Sequence, residues 1–234
     1  MSIRENLILL NMNDIYPLLA IETSDSICGA CVYFSEEKFF SSKLVLKHSH
    51  AEKLFEVINA VLEMASITQN ELKSIAVSNG PGSFTGLRIG MSAAKGIAQA
   101  LSIPIIPVPT FEALAFQISS ILPEGSNFII SNKVGRDEVY FAMFQITGNN
   151  YIFKEELKII PVSKLNLIPK DILIFGNTFD LNSEKSISTK RISAPDAEFI
   201  AKWAATFGID KIVTDIDFLE PNYLKDFIVK EKNK

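Results

Sequence analysis

The stretch SIAVSNGPGSFTGLRIGMSAAKGIAQAL, residues 74 to 101, constrains the fold more than any other part of the chain. A short apolar run leads into a loop holding Gly80, Gly82 and Gly86, and a long segment of helical spacing follows. Strand, tight turn and helix in that order make a crossover, so the chain requires a sheet with helices lying across it.

The flanking segments extend the pattern. PLLAIET (17–23), SICGACVYFS and KFFSSKLVLK read as three strands in succession, with a polar EE turn between the second and third. AEKLFEVINAVLEMA then places Ala51, Leu54, Phe55, Ile58, Val61 and Leu62 at helical spacing. Val57 and Met64 widen that stripe beyond what one sheet contact requires. IPIIPV is a buried strand, and TFEALAFQISSIL a helix with Thr110 as its expected N-cap. From Asn127 the order is strand-rich again (FIISNK, EVYFAMFQI, YIFKEELKII, DILIFG) and closes on the helix DAEFIAKWAATFG, a partial duplication of the first half. The expected organisation is an N-terminal extension (1–16), a first lobe (17–124) and a second lobe (125–234), with both sheets mixed.

With 47% hydrophobic residues in 234, the chain has ample material for a core. Its net charge of −4 and the lack of a dense Lys/Arg run argue against gripping nucleic acid unaided. No apolar run reaches the roughly 18 residues that span a bilayer, so no membrane partner is expected and the cytoplasm is the expected location. Cys28 and Cys31 lie three apart on one strand, which points them to opposite faces and disfavours a shared disulfide. They read as core thiols rather than a redox pair or half of a zinc site.

The glycine loop departs from two common phosphate cradles. It has TGLRIG where a P-loop needs GK[ST], and Gly80, Gly82 and Gly86 give GxGxxxG, one residue longer than a dinucleotide fingerprint. The free N–H groups of a helix start can still hold an anion. Close packing is the equal alternative, since Gly86, Gly90 and Ala93 form a stripe of small residues.

SNGPGSFTGLRIGMSAAKGIAQAL closely resembles the GPGSFTG(L/V)RIG segment of the bacterial TsaB (YeaZ) family of tRNA threonylcarbamoyladenosine biosynthesis proteins. LLAIETS, HSHAEKLFEVI, EVYFA and the C-terminal EPNYLKD resemble other family segments in the same order. The resemblance implies the two-lobed actin-like, Hsp70-like ATPase (ASKHA, ribonuclease H-like) α/β fold. It also implies a role as a non-catalytic subunit in threonylcarbamoyladenosine modification of tRNA. The expected partners are a TsaD-like transferase and a TsaE-like ATPase, with a homodimer when alone and tRNA reached only through the complex. No cofactor is expected to be required, with ATP or ADP held, if anywhere, at the complex interface. The family's loop before EVY commonly reads D-A-R; here Lys133 and Gly135 stand at the usual Asp and Arg positions, leaving Arg136 as a substitute. Lys225 likewise stands where the family's ending has Arg.

Kinase-like members of such a fold carry an acid on the first strand, where Glu22 stands, so Glu22 with Gly80, Gly82 and Gly86 is the candidate nucleotide or anion site. The alternative function, a small ATPase or phosphotransferase, depends on that site. TsaD-type paralogues hold metal through HxxxH, whereas His48 and His50 are two apart and are not expected to bind one. No catalytic residue is expected. The two front-lobe helices supply the expected partner surface, through Leu54, Val57, Ile58, Val61, Gly90, Ala93, Ala94 and Ile97. A charge placed at Val57 or Ala93 would then split a dimer and leave a folded monomer.

Overall fold

The structure, a computed structural model, describes residues 15–45, 50–178, 189–190 and 192–224. Strands β1 (Leu18–Glu22), β2 (Ile27–Ser35) and β3 (Lys38–Val45) form an antiparallel meander. Helix α1 (His50–Ala65) crosses to β4 (Ser74–Gly80), and α2 (Phe84–Leu101) crosses to β5 (Ile105–Pro109). Both of these strands are parallel to their neighbours, giving the order β3-β2-β1-β4-β5. After α3 (Thr110–Ser119) the plan recurs: β6 (Asn127–Lys133), β7 (Glu138–Thr147) and β8 (Asn150–Pro161) form a meander. Strands β9 (Leu173–Gly176) and β10 (Thr189–Lys190) add in parallel, in the order β10-β9-β6-β7-β8. The chain returns through α4 (Ala197–Phe207). Among the described residues no helix is long and apolar enough to cross a membrane.

Period-two alternation assigns the faces of the first sheet. Leu19, Ile21, Cys28 and Val32 meet α1 and α2, while Leu18, Ala20, Cys31 and Tyr33 meet α4. The two cysteines therefore sit on opposite faces, both buried and free. Burial pushes the Cys28 thiol up to about 11 and the Cys31 thiol up to about 12, the reverse of what a redox dithiol requires.

Three details of the expected organisation differ in the structure. The closing helix α4, expected in the second lobe, packs Ala197, Ile200, Ala201, Trp203 and Ala204 on the first sheet. An amphipathic stripe records that a face is apolar and not which sheet it meets. Helix α3, in turn, sends Phe111, Leu114, Ala115 and Ile118 into the core of the second sheet, against Phe128 and Phe144. Polar contacts fasten this exchange: Trp203 Nε1 donates to the Tyr151 hydroxyl (2.9 Å), which donates to Glu112 (2.8 Å). Asp196 N donates to Gln117 Oε1 (2.8 Å), and the Asp196 carboxylate pairs with Lys43 (2.6 Å). The expected extension also ends earlier than residue 16, because Ile15 is fully buried and its carbonyl accepts from Ser74 Oγ at 2.6 Å. Residues 1–14, including Met12, lie outside the described residues.

Candidate functional site

Every glycine of the loop is held against another part of the chain itself. Gly80 has φ +106°, and a Cβ there would meet the Asn222 carbonyl oxygen at 2.6 Å. A Cβ on Gly82 would lie 2.5 Å from the Ser24 carbonyl oxygen, and Cβ atoms on Gly86 and Gly90 would collide with the Thr23 carbonyl and hydroxyl. Gly86 and Gly90, four apart, share the face of α2 laid on the turn after β1, and Gly82, just before the N-cap Ser83, meets the same turn.

Three of the loop's donors are engaged within the chain. Gly80 N donates to Thr110 Oγ1 (3.0 Å), Ser83 N to Ser24 O (2.6 Å) and Gly86 N to Ser83 Oγ (3.2 Å), the last being the N-cap of α2. Thr110 thus serves the glycine loop, and Pro109 occupies the N-cap position of α3 expected for Thr110. Thr23 Oγ1 donates to Gly86 O (2.8 Å) and Asn222 N to Asn79 O (2.7 Å). Close packing, one of the two readings of the sequence, is present at all three loop glycines.

Glu22 lies beneath this lid. Glu22 and Thr23 are fully buried and Ser24 nearly so, so the turn is no surface feature. Ser24 N donates to Glu22 Oε1, while Oε2 has no hydrogen-bond partner, although the Ser24 and Ser78 hydroxyls stand near the carboxyl. Burial dominates the electrostatics and pushes the Glu22 carboxyl up to about 7, against the smaller lowering by these neighbours. Among the described residues no three His, Cys, Asp or Glu side chains come together as metal ligands. His48 lies outside the described residues, and His50 opens α1. The Glu22 carboxyl is enclosed, and the nearby Asp25 carboxylate raises its pKa further.

The sign of the Glu22 effect on stability follows from its raised folded-state pKa. The contribution is complete below the ordinary value of 4.5 and is lost as pH rises through about 7. The shift corresponds to roughly 3 kcal/mol. Glu22→Gln is expected to flatten that decline and to exceed the wild type in stability at alkaline pH, as read by urea denaturation on both sides of neutrality. Parallel pH profiles for the two proteins would show Glu22 to be ionised without penalty.

A cleft of about 440 Å³ opens between the sheets, with Ser24, Asp25 and Ser83 on one wall and Asn132, Lys133 and Asn177 on the other. Lys133 ends β6, and its backbone N–H donates to Asn177 Oδ1 (2.7 Å). Gly135 has no atom within 4 Å of a Cβ position, so packing does not demand a glycine there.

The larger concavity, about 760 Å³, runs between the outer faces of α1 and α2. Leu54, Phe55, Ile89, Ala93 and Ile97 supply apolar walls, and Arg88 stands on the α2 side. Phe55 is 50% exposed and Met64 47%. This geometry divides the residues expected to face a partner. Val57, Ile58, Val61 and Ala94 are buried in the first sheet's core, and Gly90 faces Thr23, so these five are structural. Leu54, Ala93 and Ile97 reach the groove from below. The outward residues Phe55, Ile89, Ser92, Gly96 and Ala100 complete it and were missed. Phe55, counted in the stripe of α1 but left out of the expected partner surface, was the available signal.

Comparison with known proteins agrees with this architecture. The family described as "TsaD: tRNA N6-adenosine threonylcarbamoyltransferase" matches residues 44–167. The Haemophilus influenzae "tRNA threonylcarbamoyladenosine biosynthesis protein TsaB" is 25% identical over 228 residues, covering 92% of this chain and 96% of that protein. The Bacillus subtilis protein of the same name is 26% identical over 226 residues, covering 89% and 93%. A solved structure of "YeaZ from Pseudomonas aeruginosa" shares the fold, with a TM-score of 0.73 at 22% identity over 88% of this chain and 99% of that one. With its repeated sheet plan, its packed glycine segment and these matches, the chain belongs to the TsaD family and, within it, to the TsaB (YeaZ) group.

Proposed function

We propose that this chain is a non-catalytic subunit of the apparatus that installs threonylcarbamoyladenosine in tRNA, acting by docking a TsaD-like transferase. The groove between α1 and α2 carries this reading: an apolar concavity with a small-residue floor, Ala93, Gly96 and Ala100, can admit partner helices closely. The glycine loop and Glu22 support the non-catalytic part. Three of the loop's N–H groups are bonded within the chain and the Glu22 carboxyl is buried, which favours a packing role over phosphate chemistry. Nucleotide turnover then belongs to the partner subunits, a TsaE-like ATPase among them, and tRNA is reached through the complex in the cytoplasm. A homodimer through the same groove is the state of the chain without its partner.

Gly96 provides the test. It is exposed, a Cβ there meets nothing within 4 Å, and it lines the groove. Gly96→Arg should therefore fill the groove and leave the fold intact, with a helix-propensity gain of up to about 1 kcal/mol. In a reconstituted threonylcarbamoyl transfer to tRNA, omission of the chain and Gly96→Arg are expected to abolish activity alike. Full activity with the variant, or with the transferase alone, would refute the proposal. ATP hydrolysis by the isolated chain that Glu22→Ala removes would revive the ATPase alternative.

A further inference from the structure

Arg88 is a cation set into an otherwise apolar wall, and its neighbours hold it there. Its guanidinium carbon lies 3.9 Å from the Phe84 ring centroid and 5.8 Å from that of Tyr223. Its Nε donates to the Tyr223 hydroxyl at 3.1 Å. The Phe84 and Tyr223 rings are themselves in contact, with centroids 5.0 Å apart. Among the described residues Arg88 forms no ion pair with a carboxylate, although it is exposed and borders the groove.

Tyr223 is brought to this place by a C-terminal strap that runs along α2. Lys95 Nζ donates to the carbonyls of Asp217 (3.0 Å) and Leu219 (3.3 Å), and Asn222 N donates to Asn79 O (2.7 Å) at Gly80. Aromatic stacking and the Nε bond fix the guanidinium plane, which leaves the two Nη groups as a planar fork. A fork held this way suits a carboxylate, which it can bind through two parallel hydrogen bonds.

We propose that Arg88 is the polar anchor of the docking groove: it receives an Asp or Glu side chain from an otherwise apolar helix of the docked subunit, and Tyr223 of the C-terminal strap sets its orientation. This rests on the groove being the docking site. Charge complementarity favours an acidic side chain on the occupant, since Arg88 is the one charged residue among the described residues lining the groove. The pair would set register within a surface that apolar contacts alone leave free to slide.

The test titrates the purified TsaD-like subunit against the full-length chain, without nucleotide, at low and high salt. Arg88→Met keeps a linear side chain against the rings and is expected to bind about tenfold more weakly and to lose most of the salt dependence seen in the wild type. Arg88→Lys should also bind more weakly, because an ammonium cannot form the fork, but should keep a salt response because the charge remains. Tyr223→Phe, which keeps the ring and loses the hydroxyl, should fall between these and the wild type. Unchanged thermal melts establish that each variant is folded. If Gly96→Arg blocks docking while Arg88→Met binds with wild-type affinity and salt response, the anchor is disproved and the groove stands. If Gly96→Arg docks normally, the groove fails, and the anchor with it.

Discussion

Gly86→Ala is expected to destabilise the chain by about 3 kcal/mol or more, at the upper end of what an added methyl group does in a close-packed site. The new Cβ is directed at the Thr23 carbonyl, which the backbone of β1 holds in place and which cannot rotate away as a flexible side-chain tip would. The same displacement disturbs the 2.8 Å bond from Thr23 Oγ1 to Gly86 O and shifts Ser24 above Glu22. Gly96→Ala, ten residues further along the same helix, is the matched control: with nothing within 4 Å of its Cβ it should gain up to about 1 kcal/mol. Urea denaturation of both variants reads the difference directly as midpoints at constant slope. Equal midpoints would mean that the helix start yields to a methyl group and that the glycine stripe is not a packing device.

Val57→Asp is expected to be the more damaging of the two, by about 4 kcal/mol or more, with the protein recovered unfolded or insoluble. Val57 is 3% exposed within the first sheet's core, and an unpaired carboxylate there has no donor to meet. The sequence alone assigned this position to a partner and expected a folded monomer. Its burial changes that outcome to loss of fold. Gly96→Arg separates the two effects, because it adds charge and bulk to the groove without touching the core. A soluble, cooperatively melting Val57→Asp protein that had merely lost its partner would contradict the packing of α1 described here.

The contrast between these positions shows how far the sequence could be read. The order of strands and helices was legible because period-two and period-3.6 patterns are local, and the described strands and α-helices follow it from β1 to α4 apart from β10, whose two residues are too few to carry a period. Facing is non-local. Helix α1 has apolar residues on more than one side, and spacing alone does not distinguish Val57, turned to the sheet, from Phe55, turned to solvent. The glycine loop was ambiguous for a related reason. A missing Cβ permits close approach, but the approaching group, here Thr23, Ser24 and Asn222, is supplied by segments about 60 and 140 residues away. In the sequence Arg88 is only the basic residue two positions beyond Gly86 in TGLRIG, a loop without the GK[ST] of a P-loop. Its setting against two rings depends on Tyr223, which lies 135 positions away.

The return of α4 to the first sheet also bears on how the chain is made. The strands of that sheet are complete by Pro109, yet Leu18, Ala20, Cys31 and Tyr33 wait for a cover encoded at 197–207. A nascent chain emerging from the ribosome therefore carries one naked greasy surface until residues 197–207 have followed it out, the interval in which chaperones are most needed. Fragments cut between the two sheets should for the same reason be unable to stand alone, since each would lack the helix that the other half provides.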